Sequence, residues 1–362
     1  MENNKNTSEV IDWQEVMEPY LYGDVDAYAM FVAVPIIVII GVFGNISTII
    51  VLSTNPRMRN SLNIYLVNLA ISDCLFLLVA PTFTWITFFE SPLNHHYDNS
   101  WFTVGYCKFY TFIVHSAYQQ SCNFIIAIAV ERVLATSYPL KYRAYVSKKR
   151  TLKICGTLWV FTLFYQSRNI VTIGESSLEF PWPDMTNGVT NSTTICTLCV
   201  DFHKTVCKTM NDLYVLDLSF VLFAIIFIII MYGTLFSSFL GPKSKKEVTS
   251  TASNRVNYET KALRTVVITI SAYSFLTAPL NMLLLLENFN LVNPDVVGFI
   301  ENVFRFIALI NSANNPIIYN LSNETYRQAF WKLFGFSKEK KTHTKTDKIS
   351  VPNRTVFESI SA

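Results

Sequence analysis

Charged residues are scarce in this chain of 362 residues: Asp, Glu, Lys and Arg together make up 15% of it, whereas 51% is hydrophobic. Soluble domains usually carry about 25% charged residues, so a water-soluble fold is disfavoured. The chain also lacks internal repeats at a fixed period, which disfavours solenoid and array architectures.

The motifs of membrane enzymes and transporters are missing as well. There is no His-Glu-x-x-His motif, and the adjacent His95 and His96 have no third metal ligand in view. Transporters commonly contain paired repeats with broken helices in matching positions, and the chain has no such pairing. A membrane protein that is not an enzyme is therefore favoured.

What the chain does contain is seven long apolar stretches. Each is long enough to cross about 30 Å of hydrocarbon as an α-helix. These stretches, called spans one to seven, cover residues 28–52, 62–89, 104–137, 152–173, 213–240, 262–286 and 296–321. The sequence therefore predicts an all-α membrane protein, a seven-transmembrane-helix bundle over residues 28–321, preceded by a tail over 1–27.

Orientation follows from the basic residues, which are retained on the cytoplasmic side of a membrane. Most of the 29 Lys and Arg lie in the loops after spans one, three and five and in the C-terminal tail. We therefore expect a multi-pass plasma-membrane protein with an extracellular N-terminus and a cytoplasmic C-terminus. The first 26 residues hold seven acidic residues and one lysine, unlike a cleavable signal peptide, so span one is expected to act as the insertion signal.

The two faces of the protein have different expected contacts. The basic cytoplasmic face is expected to contact lipid headgroups rather than nucleic acid. Acceptor sequons at Asn6 and Asn191 fall on the expected outer side and are candidate glycosylation sites.

Polar residues near the middle of the spans are costly in hydrocarbon and are therefore functional candidates. They are Asn45, Asp73, Ser121, Asn311 and Asn315. Packed together they would form a hydrated pocket for a small cation such as sodium, with Asp73 as the charged ligand. A purely structural hydrogen-bond network between helices is the alternative. No other cofactor is expected.

Six landmarks occur in the spans and in the order typical of one known family. They are Gly44-Asn45, Leu69-Ala70-x-x-Asp73, Glu131-Arg132, Trp159, Pro279 and Asn315-Pro316-Ile317-Ile318-Tyr319. With them the chain resembles the rhodopsin-like (class A) G-protein-coupled receptors over about residues 28–334, and it is most similar to peptide and neuropeptide receptors. The resemblance implies a receptor that activates heterotrimeric G proteins through outward movement of helix six, with arrestin and a receptor kinase as further partners.

The resemblance also implies that Arg132, at the end of span three, is the cytoplasmic switch. Glu131 precedes it, and in the family the arginine pairs in the resting state with an acid at the start of span six, which is Glu259 here. The other expected switch residues are Tyr232, Asn315, Pro316 and Tyr319.

Span six departs from the family pattern. The family's Cys-Trp-x-Pro is Leu276-Thr277-Ala278-Pro279 here, so Thr277 stands where a toggle tryptophan is expected. We therefore expect activation to depend more on Tyr232, Tyr273 and Tyr319 than on a rotating tryptophan.

Four cysteines fall on the expected outer, oxidising side: Cys107, Cys196, Cys199 and Cys207. The resemblance implies a disulfide between Cys107 and one cysteine of the loop after span four. The run Ile195-Cys196-Thr197-Leu198 resembles the second strand of a loop hairpin in peptide receptors, which favours Cys107–Cys196, with Cys199–Cys207 as a second bridge. Cys107–Cys199 is the rival pairing.

Single residues disfavour two ligand classes. Amine receptors of this family carry an aspartate where the chain has Val114, and opsins carry the retinal lysine where it has Leu309. The long outer loop, predicted over 174–212, suits an extracellular peptide, and a lipid or other small non-amine ligand is the alternative. The candidate ligand contacts are His115, Tyr118, Gln119, Arg168, Asp217, Asn281, Glu287, Glu301 and Arg305.

The charged members of this set predict the polarity of the ligand. Asp217 and Glu287 are expected to receive a basic ligand group, and Arg168 or Arg305 a carboxylate or amide carbonyl. The alternative for Arg305 is neutralisation by Glu301, four residues earlier on the same helical face.

The C-terminal region changes character after span seven. Residues 322–334 place basic and aromatic residues at helical spacing and predict an amphipathic helix on the inner leaflet. No cysteine follows them, so the palmitoyl anchor frequent in the family is not expected. Residues 335–362 are rich in Lys, Ser and Thr and predict a disordered tail.

Overall fold

The structure, a computed structural model, describes residues 11–58, 60–94, 98–198, 204–240, 250–292 and 294–336. Within these it describes only the backbone at 57, 139, 143, 231–232, 234–240, 250–266 and 294–302. The predicted switch residues Tyr232 and Glu259 and the candidate contact Glu301 belong to the backbone-only positions, and Asn6 and Cys199 lie outside the described residues.

In these parts of the chain, seven long helices and one short amphipathic helix make up the bundle. They are α1 Val34–Thr54, α2 Ser61–Glu90, α3 Val104–Ser137, α4 Lys148–Gln166, α5 Lys204–Leu240, α6 Ser250–Asn288, α7 Pro294–Ser322 and α8 Glu324–Leu333. Shorter helical segments are Trp13–Met17, Glu18–Tyr20, Asp24–Tyr28, Ala29–Ala33, Pro56–Met58, Pro139–Tyr145 and Arg168–Thr172. Two strands, β1 Ile173–Glu179 and β2 Ser192–Leu198, precede α5.

Each predicted span overlaps one long helix, so the seven-helix prediction is confirmed. The predicted ends are less accurate, because α5 begins at Lys204 rather than 213 and α6 at Ser250 rather than 262. The outer loop predicted over 174–212 is therefore wrong at its C-terminal end, where residues 204–212 are helical. That stretch is polar, and helices that leave the hydrocarbon can continue in water without an apolar run.

Side-chain caps explain where several helices begin. Asn60 accepts a hydrogen bond from the backbone N–H of Asn63 at 2.9 Å, at the start of α2. Thr103 caps α3, and Asn323 caps α8 through the N–H of Tyr326 at 3.1 Å. Each cap satisfies a backbone donor that the first helical turn leaves without a partner.

The bundle exposes large apolar side chains and buries several polar ones, unlike a soluble protein. Phe164, Phe223 and Phe275 are 79%, 75% and 80% exposed, whereas Asp73 and Asn45 are fully buried. Four described segments are long and apolar enough to cross a membrane: Asp24–Thr54, Ser61–Glu90, Lys204–Ile230 and Val267–Asn288. This distribution fits hydrocarbon as the surrounding solvent.

Two glycines allow α1 to pack closely against its neighbours. A Cβ atom built at Gly41 would lie 2.6 Å from the Leu77 side chain and 3.0 Å from the Cα of Ala313. At Gly44 it would lie 2.9 Å from the Pro316 side chain. Small residues at helix contacts let backbones approach in membranes, which is the physical reason for glycine at these positions.

The strands form an antiparallel hairpin in which Glu175 pairs with Cys196 and Glu179 with Ser192, so the predicted second strand over 195–198 is confirmed. We call the end of the bundle that carries this hairpin and the start of α3 the hairpin end. The opposite end, with α8, is the α8 end.

Candidate functional site

A cavity of about 420 Å³ lies between the helices at the hairpin end. Six of the nine predicted ligand contacts line it: His115, Tyr118, Gln119, Asp217, Asn281 and Arg305. Arg168 is not part of the lining but contacts Asp217, and Glu287 is exposed and lies outside the lining. Residues from four helices, α3, α5, α6 and α7, therefore meet in one site, as is usual for pockets between bundled helices.

Asp217, on the cavity wall, is already supplied with a cation. Arg168 forms an ion pair with its Oδ2 atom, and the Tyr165 hydroxyl donates to Oδ1 at 2.8 Å. The Arg168 guanidinium also lies over the Tyr165 ring, 4.0 Å from its centroid. A basic ligand group at Asp217 would therefore have to compete with Arg168, and the two residues first of all neutralise each other.

The cavity floor is formed by neutral polar groups of α3 and α6. The Asn281 amide donates to the Tyr118 hydroxyl at 2.7 Å and to the carbonyl of Thr277 at 2.8 Å. Thr277, where the tryptophan is missing, is fully buried. Its hydroxyl donates to the carbonyl of Tyr273 at 2.7 Å, so this position bonds to its own helix and does not place a ring beneath the cavity.

The hairpin is fixed beside the cavity by a disulfide and a hydrogen-bonded loop. Cys107 at the start of α3 is joined to Cys196 on β2, with Cα atoms 6.0 Å apart, which is the pairing that the sequence favoured. Asn99 binds the same strand at two points, because its N–H donates to Thr194 O at 2.7 Å and its Oδ1 accepts from Cys196 N at 2.8 Å. The Cys199–Cys207 bridge stays a prediction, since Cys199 is outside the described residues.

Asp98 precedes Asn99 in the loop before α3 and is a buried hydrogen-bond acceptor that sequence reasoning missed. It accepts from the hydroxyls of Ser91 at 2.5 Å, Ser100 at 2.6 Å and Thr193 at 2.5 Å, and from Ser100 N at 2.9 Å. Burial raises its pKa, but these hydrogen bonds outweigh burial and hold the pKa below its usual value. Asp98 thereby ties the loop before α3 to strand β2.

Asp98→Asn is expected to destabilise the protein by roughly 2–3 kcal/mol, because hydrogen bonds to a charged acceptor are replaced by an amide that cannot accept them all. Since the folded-state pKa is depressed, the contribution is fully present above the unfolded pKa of about 3.9 and is lost as pH falls through the folded value. Thermal unfolding of the purified protein should show a constant deficit in stability from about pH 5 to 7.5 that shrinks below about pH 4.

The matched control for Asp98→Asn is Glu175→Gln, the same chemical change at an exposed position of the hairpin. Exposed carboxylates contribute little to stability, so the control should unfold like the unsubstituted chain. Equal unfolding temperatures for the two variants would contradict the role given to Asp98.

The segment before α1 packs on the hairpin. Met17, Leu93, Phe180, Trp182 and Val189 form a buried cluster. The Tyr20 ring lies edge-on to both Phe180 and Trp182, with centroids 5.3 Å apart in each case. Part of the predicted N-terminal tail over 1–27 is thus ordered, and it lies beside the mouth of the cavity.

A polar centre lies below the cavity, midway through the bundle. Asp73 accepts from Ser121 Oγ at 2.9 Å and from Asn315 Nδ2 at 2.7 Å. Asn45 donates to carbonyls of Gly41 and Ser312 at 2.9 and 3.0 Å. Its buried Oδ1 has no hydrogen-bond partner among the described residues. A buried carboxylate beside the Ser121 hydroxyl offers oxygen ligands of the kind that a hard cation takes. Asn311, the remaining member of the predicted network, is buried on the same helix as Asn315.

The α8 end holds the predicted switch. Arg132 Nη2 lies 4.0 Å from Glu131 Oε1, which also accepts from the Tyr142 hydroxyl at 2.7 Å. Arg132, Tyr142 and Tyr319 line a second cavity of about 280 Å³. The Arg132–Glu259 pair and the role of Tyr232 stay predictions, because those side chains are not described.

Helix α8 is tied to the bundle at this end. The Tyr326 hydroxyl lies 2.6 Å from Thr48 Oγ1 of α1, and its ring packs edge-on against Tyr319 at 5.7 Å. A buried tyrosine therefore ties the amphipathic helix to α1 and α7 of the bundle.

Besides Asp98, sequence reasoning missed several residues that line the two cavities. Tyr110 and Gln166 line the hairpin-end cavity, and Tyr142 touches the switch. Gln166 is an amide within span four and carries the same sequence signal as Gln119 and Asn281. Tyr142 lies in a short loop helix, and no sequence signal distinguishes it.

These observations define a class: a seven-helix membrane receptor with a cavity at one end and the predicted arginine switch at the other. The chain belongs to the 7 transmembrane receptor (rhodopsin family), whose family model matches residues 44–319. This membership supports a multi-pass protein of the plasma membrane, and members of the family are signalling receptors rather than enzymes.

Similar proteins of known name are peptide receptors. Tachykinin-like peptides receptor 99D of Drosophila melanogaster is 22% identical over 338 residues, which cover 89% of this chain and 57% of that receptor. The thyrotropin-releasing hormone receptor of Gallus gallus is 28% identical over 81% of this chain and 75% of its own length. Neuromedin U receptor homolog nmur-2 of Caenorhabditis elegans is 28% identical over 81% and 76%.

Proposed function

We propose that this chain is a receptor for an extracellular neuropeptide and that it activates heterotrimeric G proteins through outward movement of α6. The observation that carries the proposal is the stacking of three sites along one bundle. The cavity at the hairpin end, the polar centre at Asp73 and the Arg132 pair at the α8 end follow one another. The names of the similar receptors support a peptide as ligand.

The hairpin end is assigned to the outside of the cell. Its Cys107–Cys196 disulfide requires an oxidising compartment. At the other end, α4 begins with Lys148, Lys149 and Arg150, and basic residues are retained in the cytoplasm. In this orientation the sequons at Asn6 and Asn191 face the glycosylation machinery, and α8 lies on the inner leaflet in contact with lipid.

Signal transfer uses residues that connect the two ends. Pro279 interrupts the hydrogen-bond ladder of α6, so the cytoplasmic half of that helix can swing away from Arg132. The movement would open the cavity that Arg132 and Tyr319 line and admit part of a G protein. Arrestin and a receptor kinase are proposed to act on the same face, through the Ser and Thr of residues 337–362.

Sodium is proposed as an allosteric ion at the polar centre. Asp73 would supply the charge, with Ser121 and the otherwise unpartnered Asn45 Oδ1 as oxygen ligands. A cation held there would favour the packing of α1, α2, α3 and α7 around it.

The test is a peptide-library screen on cells that express the full chain, with calcium and cyclic AMP recorded in parallel. We expect one peptide class to give a saturable response. A tagged form of the active peptide should then be competed with lipid extracts and with the untagged peptide. Displacement only by lipid, or a response to lipid but to no peptide, would favour the small-ligand alternative and refute the peptide proposal.

The control is Arg132→Ala at equal surface expression. Arg132 lines the cavity at the α8 end and is not among the described residues that line the cavity at the hairpin end, so this variant should bind the tagged peptide and give no G-protein response. A full response from Arg132→Ala would contradict the switch.

A further inference from the structure

Thr277 stands where the family pattern has a tryptophan, so this position places no ring at the floor of the cavity at the hairpin end. The side chains that take over this floor are Tyr118 of α3 and Asn281 of α6, and both line the cavity. Their hydrogen bond, 2.7 Å long, joins the two helices directly beneath the volume that a ligand would occupy.

The Tyr118–Asn281 bond is held in place from both sides. Asn281 is 2% exposed and its second amide donor is engaged by Thr277 O at 2.8 Å, so the amide has little freedom to rotate. The Tyr118 ring packs beside Phe76, with centroids 6.0 Å apart, and lies between two hydrophobic clusters of the bundle. Both partners are therefore pre-positioned for this contact.

The bond also lies next to the flexible point of α6. Pro279 is two residues before Asn281 and cannot donate a backbone hydrogen bond to the preceding turn. Thr277 returns its hydroxyl to the carbonyl of Tyr273 at 2.7 Å, and hydroxyls that bond to their own helix favour bending. A restraint at Asn281 thus acts just outside the flexible point at Pro279. A small change in the bend of α6 there moves the long cytoplasmic half of the helix.

We propose that the Tyr118–Asn281 hydrogen bond is the ligand-sensitive contact of this receptor, which restrains α6 against α3 and is released when a ligand acceptor group takes the Asn281 amide donor in place of the Tyr118 hydroxyl. The proposal rests on the proposed receptor function. Asn281 has two amide donors, one on Thr277 O and one on the Tyr118 hydroxyl, so a ligand acceptor at this amide replaces Tyr118 as its partner. The ligand part at the cavity floor is therefore a neutral hydrogen-bond acceptor, such as an amide carbonyl, because the floor residues carry no charge.

The size of the effect follows from the strength of one buried hydrogen bond. Such a bond contributes about 1 kcal/mol net, which changes a two-state equilibrium about fivefold. Tyr118→Phe removes the hydroxyl and keeps the ring, so the population of the released state should rise about fivefold. Asn281→Ala should do the same, and the double variant should release α6 no further than either single variant, because all three lose the same bond between α3 and α6.

The experiment measures amide hydrogen exchange of residues 267–285 of α6 in the purified full-length receptor, together with basal G-protein signalling in cells. Exchange there should be about fivefold faster in Tyr118→Phe, in Asn281→Ala and in the double variant, with basal signalling raised to a similar degree. The matched control is Tyr106→Phe, which removes a hydroxyl bond of 2.9 Å from the same helix to Thr82 of α2 and does not touch α6. It should leave α6 exchange unchanged.

Unchanged α6 exchange in Tyr118→Phe, additive effects in the double variant, or an equal effect of Tyr106→Phe would each overturn the proposal. Faster exchange without raised basal signalling, in a receptor that still responds to peptide, would also overturn it. Faster exchange in a receptor that responds to no peptide would support the restraint of α6 by the Tyr118–Asn281 bond and would refute the proposed function instead.

Discussion

Cys107→Ser is expected to remove most of the receptor from the cell surface and to abolish high-affinity ligand binding by what remains. The disulfide from Cys107 to Cys196 spans 89 residues of sequence, and loss of such a bridge typically costs about 2–5 kcal/mol. Stabilities of proteins are only about 5–15 kcal/mol, so the loss is a large fraction of the total. Surface labelling and binding of a tagged peptide measure the two effects.

The same disulfide holds β2 at the start of α3, beside the cavity at the hairpin end. Without it, the strand is still held by Asn99 and by Asp98 through Thr193, so we expect a displaced hairpin rather than an unfolded one in the molecules that reach the surface. Cys74→Ala is the matched control, because it removes a thiol from α2 that forms no disulfide in the structure. Reduction of the unsubstituted receptor on intact cells should reproduce the binding loss without any folding defect, and full binding after reduction would exclude this role.

The second large effect is expected at the ion pair between Arg168 and Asp217. Both side chains are mostly buried, 12% and 17% exposed, and removal of one partner of a buried pair costs about 3–5 kcal/mol because the other charge is left without compensation. Asp217→Asn and Arg168→Gln should therefore each lower the unfolding temperature of purified receptor sharply and reduce ligand affinity, since Asp217 lines the cavity.

The double variant of Arg168→Gln with Asp217→Asn is the decisive comparison. It removes both charges and keeps a polar side chain at each position, so it should be more stable than either single variant. Its ligand response then shows which residue the ligand uses. If the double variant recovers stability and potency together, the pair only supports the wall; if stability returns and potency does not, the ligand contacts one of these charges. Additive losses of stability would contradict the ion pair.

The seven helices could be predicted from the sequence because hydrocarbon imposes a simple rule: an apolar run long enough to cross it must satisfy its backbone as a helix. The rule applies only within the hydrocarbon core of the membrane. For this reason the start of α5 was placed at 213 and not at Lys204, and that of α6 at 262 and not at Ser250. Beyond that core, helices continue on polar residues, and hydropathy carries no signal there.

The site was predictable to the extent that membrane burial makes polar residues rare. His115, Tyr118, Gln119, Asp217, Asn281 and Arg305 were found as polar residues in outer halves of spans, and the structure gathers them around one cavity. Glu287 has the same sequence character but lies outside the lining. A residue's depth can be read from its place in a span, whereas the direction in which it faces depends on how the helices are rotated against one another.

The sequence by itself determined the seven helices, the class of receptor and the residues available for its switch, because these depend on apolar length and on local motifs. Only the tertiary structure decided the pairings. Arg168 with Asp217, Glu131 with Tyr142, Asp98 with β2 and Asn281 with Tyr118 are contacts between different segments. Each depends on helix rotation and loop path, which follow from the packing of the whole bundle and not from the residues near either partner in the chain.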